Sequence, residues 1–136
     1  MQARHRLIEH TGEIELFVEA PDLRALLEEA ARALAEIMAE DAAGSPDGAV
    51  EHVELSSRDR ASLLADWLND LVYRADVHKR VYPDVTIERA SDTHLEATMR
   101  GRSPHAPRTA VKAATWHRLA VTDVPGGLHG IVVLDV

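Results

Sequence analysis

The sequence predicts an α+β fold, in which two helices cover one face of a mainly antiparallel β-sheet. Two long segments place apolar residues at helical spacing, and several shorter ones alternate apolar and polar residues as half-buried strands do. The predicted order of elements is β-β-α-β-α-β-β-β-β. Strands and helices in this order are typical of helices gathered on one face of an antiparallel sheet.

The first two strands and the first helix have the clearest boundaries. We predict strands over residues 4–10 and 13–20, and the second alternates apolar residues with glutamates. Pro21 ends that strand. Asp22 is a suitable N-cap for a helix that runs from Leu23 to about Glu40.

The rest of the chain continues with shorter elements. Residues 41–49 are a loop by composition, and residues 50–56 form a strand. Ser57 or Asp59 caps a second helix that ends near Ala75. The remaining prediction is strands over 84–90 and 94–100, a loop over 101–108, an extended segment over 109–124, a turn at Gly126-Gly127 and a final strand.

Composition limits the classes of function. The 136 residues, 46% of them hydrophobic, suit one domain over 1–136 with a sizeable core. Without a signal peptide or a membrane-spanning stretch, a cytoplasmic protein with no membrane partner is expected. The absence of cysteine excludes disulfides and thiolate chemistry. A net charge of −8 argues against direct nucleic-acid binding but permits a basic protein partner that handles nucleic acid.

Two acidic residues lie at the ends of apolar strands. Glu13 opens the second strand and Asp135 closes the last one. If these strands are neighbours, the two carboxylates, with an oxygen of Val136, could hold Ca²⁺ or Mg²⁺, which take oxygen ligands. The alternative is two solvated carboxylates, and spacing alone favours that alternative.

Other chemistry-bearing residues have weaker signals. Among the histidines, His10, His105 and His117 lead as candidate ligands or bases, but none belongs to a ligand pair at helical spacing. Asp66 and Asp70 share one helix face, which is either solvated or used to bind a partner. The remaining histidines, at 5, 52, 78, 94 and 129, read as ordinary surface positions.

Four segments resemble the archease family, small proteins that activate the tRNA-splicing RNA ligase. The segments are His-Thr-Gly-Glu-Ile at 10–14, Leu-Leu-Ala-Asp-Trp-Leu-Asn-Asp-Leu-Val-Tyr at 63–73, Val-Lys-Ala-Ala-Thr-Trp-His at 111–117 and Val-Leu-Asp-Val at 133–136. Their order and spacing, together with the chain length, extend the resemblance over essentially the whole chain.

The resemblance implies a role without catalysis. Archeases promote guanylylation of the ligase and its multiple turnover, and they bind a divalent cation best described as Ca²⁺, with Mg²⁺ or Mn²⁺ as options. Residue by residue, the cation ligands would be Glu13, Asp135 and Val136. Lys112 matches a functionally important lysine, and His10 and Asp66 lie in the matching motifs as residues for partner contact or activation.

The first motif departs from the family pattern. Glu13 replaces an aspartate, Gly12 an alanine and Glu15 a glycine. The extra methylene of Glu13 moves its carboxylate by roughly 1.5 Å, about one carbon–carbon bond. A rigid site would have to shift or admit water, and Gly12 could supply backbone freedom for the shift.

Two other functions remain open. One is a metal-dependent hydrolase that uses His10 or His117 as a base. The other is a metal-free protein-binding or chaperone-like module. Titration with divalent cations separates the metal-free module from the ligase activator.

Overall fold

The strands form two antiparallel sheets that, with the two helices, enclose one large core. A computed structural model describes residues 1–136. Its elements are β1 (Arg4–His10), β2 (Glu13–Ala20), α1 (Leu23–Met38), β3 (Val50–Ser56), α2 (Arg60–His78), β4 (Val81–Ala90), β5 (His94–Arg102), β6 (Ala113–Val124) and β7 (Gly127–Asp135). The α+β class and the predicted order of elements are confirmed.

The predicted single sheet is divided in two. A four-stranded sheet has the order β1-β2-β7-β6, and a three-stranded sheet has the order β3-β5-β4. Strand alternation marks which residues point into the core, but it does not say which strands pair. The division therefore follows from long-range pairing that the alternation leaves open.

Several element ends differ from the sequence-based boundaries. Helix α1 ends at Met38, and α2 starts after its N-cap Asp59 and extends to His78. Asp22 and Asp59 each accept a backbone N–H three residues on, which is the hydrogen bond expected of an N-cap. Strand β4 begins earlier than predicted, at Val81, and the extended segment becomes a strand only from Ala113.

The core joins both sheets and both helices. Trp67 of α2 is fully buried, and its indole N–H donates to the Leu27 carbonyl of α1 at 2.9 Å. The inward residues of β2 and β7 pack in the same cluster, including Leu16 and Val132. This packing fixes which face of the four-stranded sheet is inside, and the opposite face carries the candidate site.

No helix is long and apolar enough to span a membrane.

Candidate functional site

Glu13 and Asp135 lie directly opposite each other on neighbouring strands. The register of β2 and β7 pairs them, the register of β1 and β2 pairs His10 with Glu13, and that of β6 and β7 pairs Ala113 with Asp135. Directly opposed residues in antiparallel strands share one face of the sheet. These four residues therefore form one row across the outer face, at one end of the sheet.

Backbone hydrogen bonds hold the chain terminus at this row. The Val136 N–H donates to the Gly12 carbonyl at 3.1 Å, and the Lys112 N–H donates to the Asp135 carbonyl at 2.8 Å. Gly12 lies in the two-residue turn between β1 and β2, with a φ of 76° that favours glycine. The terminal residue is thus held beside the turn that leads into Glu13.

Helix α2 positions the strand that flanks Asp135. The Asn69 side chain donates to the Ala114 carbonyl at 3.0 Å and accepts the Ala114 N–H at 2.8 Å. Ala114 follows Ala113, the register partner of Asp135. Sequence reasoning gave Asn69 no role beyond its place in the helix motif, because its partner lies 45 residues away.

The carboxylates of Glu13 and Asp135 are free of ion pairs, unlike their neighbours on the same face. Glu15 is buried, and its Oε1 is 2.9 Å from His10 Nε2 and 2.8 Å from an Arg118 guanidinium nitrogen. Glu19, at the other end of β2, pairs with Arg4 and His129. On this face the charge of Glu15 is therefore compensated by Arg118, whereas the charges of Glu13 and Asp135 have no ion-pair partner.

The donor set at this end of the sheet fits a hard cation. Glu13 is half-buried and Asp135 is exposed, so one carboxylate is partly fixed and the other faces solvent. Both side chains offer only oxygen ligands, which Ca²⁺ and Mg²⁺ prefer. The His10 imidazole is directed to Glu15 and leaves the set all-oxygen.

The structure brings only some of the other predicted site residues to this row. His10 is in it, and Lys112 lies next to it as an exposed side chain. Asp66 lies farther along α2, is half-buried, and accepts a hydrogen bond from the Ser57 hydroxyl. Asp70 pairs with Arg74 at 2.8 Å and is therefore not a solvated acid.

His105 and His117 are not among the four residues of this row. Both are exposed, His105 in the loop before β6 and His117 in an irregular part of β6. Register in β6 shifts between Thr115 and Ala120, and Arg118 has a φ of 58° there. Arg118 lies in this irregular segment, and its guanidinium forms an ion pair with the buried Glu15.

A second group of metal-ligating side chains lies on the three-stranded sheet. One ligand atom from each of Glu54, His94 and Glu96 lies within 4.8 Å of the others, which is close enough to hold a metal ion. Sequence reasoning read His94 as an ordinary surface position and overlooked this group. The i, i+2 spacing of His94 and Glu96 was the available signal, while Glu54 joins them only through strand pairing.

Comparison with known proteins gives one family. The model of the Archease protein family matches residues 5–136. A protein archease from Methanothermobacter thermautotrophicus is 31% identical over 132 residues, covering 93% of this chain and 94% of the relative. A protein archease from Archaeoglobus fulgidus is 31% identical over 137 residues, covering 98% and 99%.

Solved structures agree with the fold. The solution structure of Methanobacterium thermoautotrophicum protein 1598 has a TM-score of 0.78 at 29% identity, over 97% of this chain and 98% of that one. The crystal structure of an archease from Thermotoga maritima, titled a possible chaperone, has a TM-score of 0.68 at 23% identity over the full length of both chains. This second likeness bears on the fold alone.

Proposed function

Because the chain belongs to the archease family, we propose that it is a non-enzymatic activator of a tRNA-splicing or RNA-repair ligase. In this proposal it promotes guanylylation of the ligase and multiple turnover, through the end of the four-stranded sheet that carries a divalent cation. The single observation that best supports it is the register pairing of Glu13 with Asp135, two carboxylates free of ion pairs.

The proposed cation ligands are Glu13, Asp135 and Val136, with Ca²⁺ as the first choice and Mg²⁺ or Mn²⁺ as alternatives. The cation would offset the charges of the two facing carboxylates and fix their positions at the surface. Lys112 beside the row and His10 within it would contact the ligase, and Asp66 would act farther along α2.

The net charge supports a protein partner over direct RNA binding. At −8, the chain would repel phosphate over most of its surface, whereas a basic RNA-handling protein would be attracted to it. The ligase remains the specific partner that we propose.

The test is formation of the ligase–guanylate adduct with the cognate ligase, guanosine triphosphate and Ca²⁺. We expect the chain to accelerate adduct formation, and Glu13→Ala and Asp135→Ala each to suppress the acceleration. Glu9→Ala is the matched control, because Glu9 is an exposed glutamate on the same hairpin that register places on the opposite face. Equal acceleration by the wild type and both site variants would refute the role of this site.

The same protein preparation also tests the alternative that the chain is a hydrolase. The chain alone, without ligase, is assayed with phosphate-ester substrates in the presence of Ca²⁺, Mg²⁺ or Mn²⁺. Turnover that the Asp135→Ala variant loses would replace the activator proposal with a catalytic one. Failure to stimulate the ligase, together with no heat of cation binding, would favour the metal-free protein-binding module.

A further inference from the structure

We propose that Glu54, His94 and Glu96 form a second cation site, specific for a borderline transition-metal ion such as Zn²⁺. It lies on the outer face of the three-stranded sheet, whereas the Glu13 and Asp135 row lies on the four-stranded sheet. The inference is independent of ligase activation, because it depends on different residues and a different class of metal.

The strand register assembles the three ligands. Glu54 of β3 lies directly opposite Glu96 of β5, and His94 is two residues before Glu96 on the same face. The His94 Nε2 is 3.6 Å from a Glu54 carboxylate oxygen. Ligand atoms about 2.1 Å from a tetrahedral ion are roughly 3.4 Å apart, so only small side-chain rotations are needed to close the set.

The backbone beneath the ligands is held by the core. Strand β5 is the central strand of its sheet, and its inward residues Leu95 and Ala97 are buried. Val53, next to Glu54 on β3, is also buried. The ligands thus project from strands whose register cannot slip without exposing core residues.

The ligand types select the class of ion. Ca²⁺ and Mg²⁺ take oxygen ligands, whereas an imidazole nitrogen with two carboxylates suits Zn²⁺. The Ser56 hydroxyl lies 3.1 Å from His94 Nδ1, and its oxygen can accept a hydrogen bond from Nδ1–H, which leaves Nε2 free to bind metal. Three protein ligands leave a fourth coordination position that water would fill.

The charges around the group also favour a cation. Two glutamates directly opposite each other on adjacent strands repel, and a bound ion relieves that repulsion. The Arg89 Nε lies 3.4 Å from the second carboxylate oxygen of Glu96 and partly offsets the charge. Arg89 is therefore a competitor of the ion, and removing it should strengthen binding.

The experiment is calorimetric titration of the tag-free chain with Zn²⁺. It uses a Glu13→Ala, Asp135→Ala background, so that the acidic row does not contribute. We expect one equivalent to bind, and His94→Ala to weaken it by at least about tenfold, as loss of a coordinating group does. His52→Ala, a histidine on the same face one register row away, is the matched control and should bind normally.

Two further variants distinguish a specific effect on Zn²⁺ binding from a loss of folding. Ser56→Ala should weaken Zn²⁺ binding by about tenfold through loss of the imidazole orientation. Arg89→Gln should bind more tightly than the parent, which a misfolded variant would not do. Nitrogen-detected NMR of the imidazoles should show the His94 Nε2 signal shift on Zn²⁺ addition. No Zn²⁺ binding by the parent, or unchanged binding in His94→Ala, would overturn the proposal.

Discussion

The Asn69 side chain takes the place of a neighbouring strand for Ala114. It donates a hydrogen bond to the Ala114 carbonyl and accepts one from the Ala114 N–H. It thereby satisfies both backbone polar groups of a residue at the free edge of the four-stranded sheet. Helix α1 makes one such bond at the other sheet, where Glu28 accepts the N–H of Ile87 on edge strand β4 at 2.9 Å. Each helix thus covers one sheet edge that would otherwise be open to pairing.

Replacing Asn69 with alanine should destabilise the fold and loosen the cation site. The Ala114 groups lose both partners, which costs about 1–3 kcal/mol in the free energy of unfolding. Urea denaturation measures that loss, and amide exchange should report faster exchange at Ala114. Asn69→Asp keeps the acceptor and should show a smaller effect on the Ala114 N–H. Unchanged exchange at Ala114 in Asn69→Ala would contradict the role of this contact.

Trp67 should be the more costly of the two tryptophans to replace. It is fully buried, and Trp67→Ala should lower the free energy of unfolding by about 3–5 kcal/mol. Trp67→Phe loses the hydrogen bond to Leu27 and part of the volume, at about 1–3 kcal/mol. Trp116 is half exposed, so Trp116→Phe should stay within about 0.5 kcal/mol of wild type. Similar denaturation midpoints for Trp67→Phe and Trp116→Phe would argue against this difference.

We expect the Asp41 carboxylate to make the stability of the loop before β6 depend on pH. The backbone N–H groups of His105 and Ala106, with the Arg102 guanidinium, lower the pKa of the Asp41 carboxyl to about 2, against an opposing effect of burial. A depressed pKa contributes stability that is present above the unfolded value of 3.8 and is lost as the pH falls towards 2.

A comparison of wild type with Asp41→Asn tests the direction of this pH dependence. At neutral pH the variant should have a lower urea midpoint than wild type, and the difference should shrink between pH 4 and about pH 2. Asp76→Asn, which removes an exposed carboxylate on α2, controls for the change in net charge. A difference that persists unchanged at pH 2 would show that the carboxylate charge is not responsible.

Glu13→Asp restores the residue that the archease pattern has at this position. The shorter side chain withdraws its carboxylate by roughly 1.5 Å, the length of one carbon–carbon bond. If the proposed site matches that of the family, Ca²⁺ affinity should be kept or increased, whereas Glu13→Gln should weaken it by about tenfold or more. Calorimetric titration measures both, and Glu9→Gln is the control. Equal affinity of Glu13→Gln and wild type would remove Glu13 from the ligand set.

The sequence was sufficient for the elements because their signals are local. The N-caps at Asp22 and Asp59 and the alternation in β2 each depend on a few adjacent residues, and all appear in the structure. The predicted turn lies one residue earlier, at Pro125-Gly126, and Gly127 is the first residue of β7. The ends of α2 and β4 were less predictable. Helix α2 continues past Ala75 to His78, and the left-handed φ of 55° at its C-cap Lys79 ends the helix.

Long-range contacts explain what sequence reasoning left open. The Asn69 contact, the pairing of Glu15 with Arg118 and the Glu54, His94 and Glu96 group all join distant segments. Apart from the i, i+2 pair His94 and Glu96, none of these residues has a spacing along the chain that sets it apart from a surface residue. Their significance depends on strand order, which neither periodicity nor composition specifies.

By itself the sequence determined the order of elements, the archease resemblance and the two acids at strand ends. Only the tertiary structure decided that Glu13 faces Asp135, that β2 lies beside β7, and that the strands form two sheets. The physical reason is that register follows from packing: a shift of one residue would move Leu16 and Val132 out of the core and Glu13 into it. Burial of the apolar face therefore places the two carboxylates together on the opposite one.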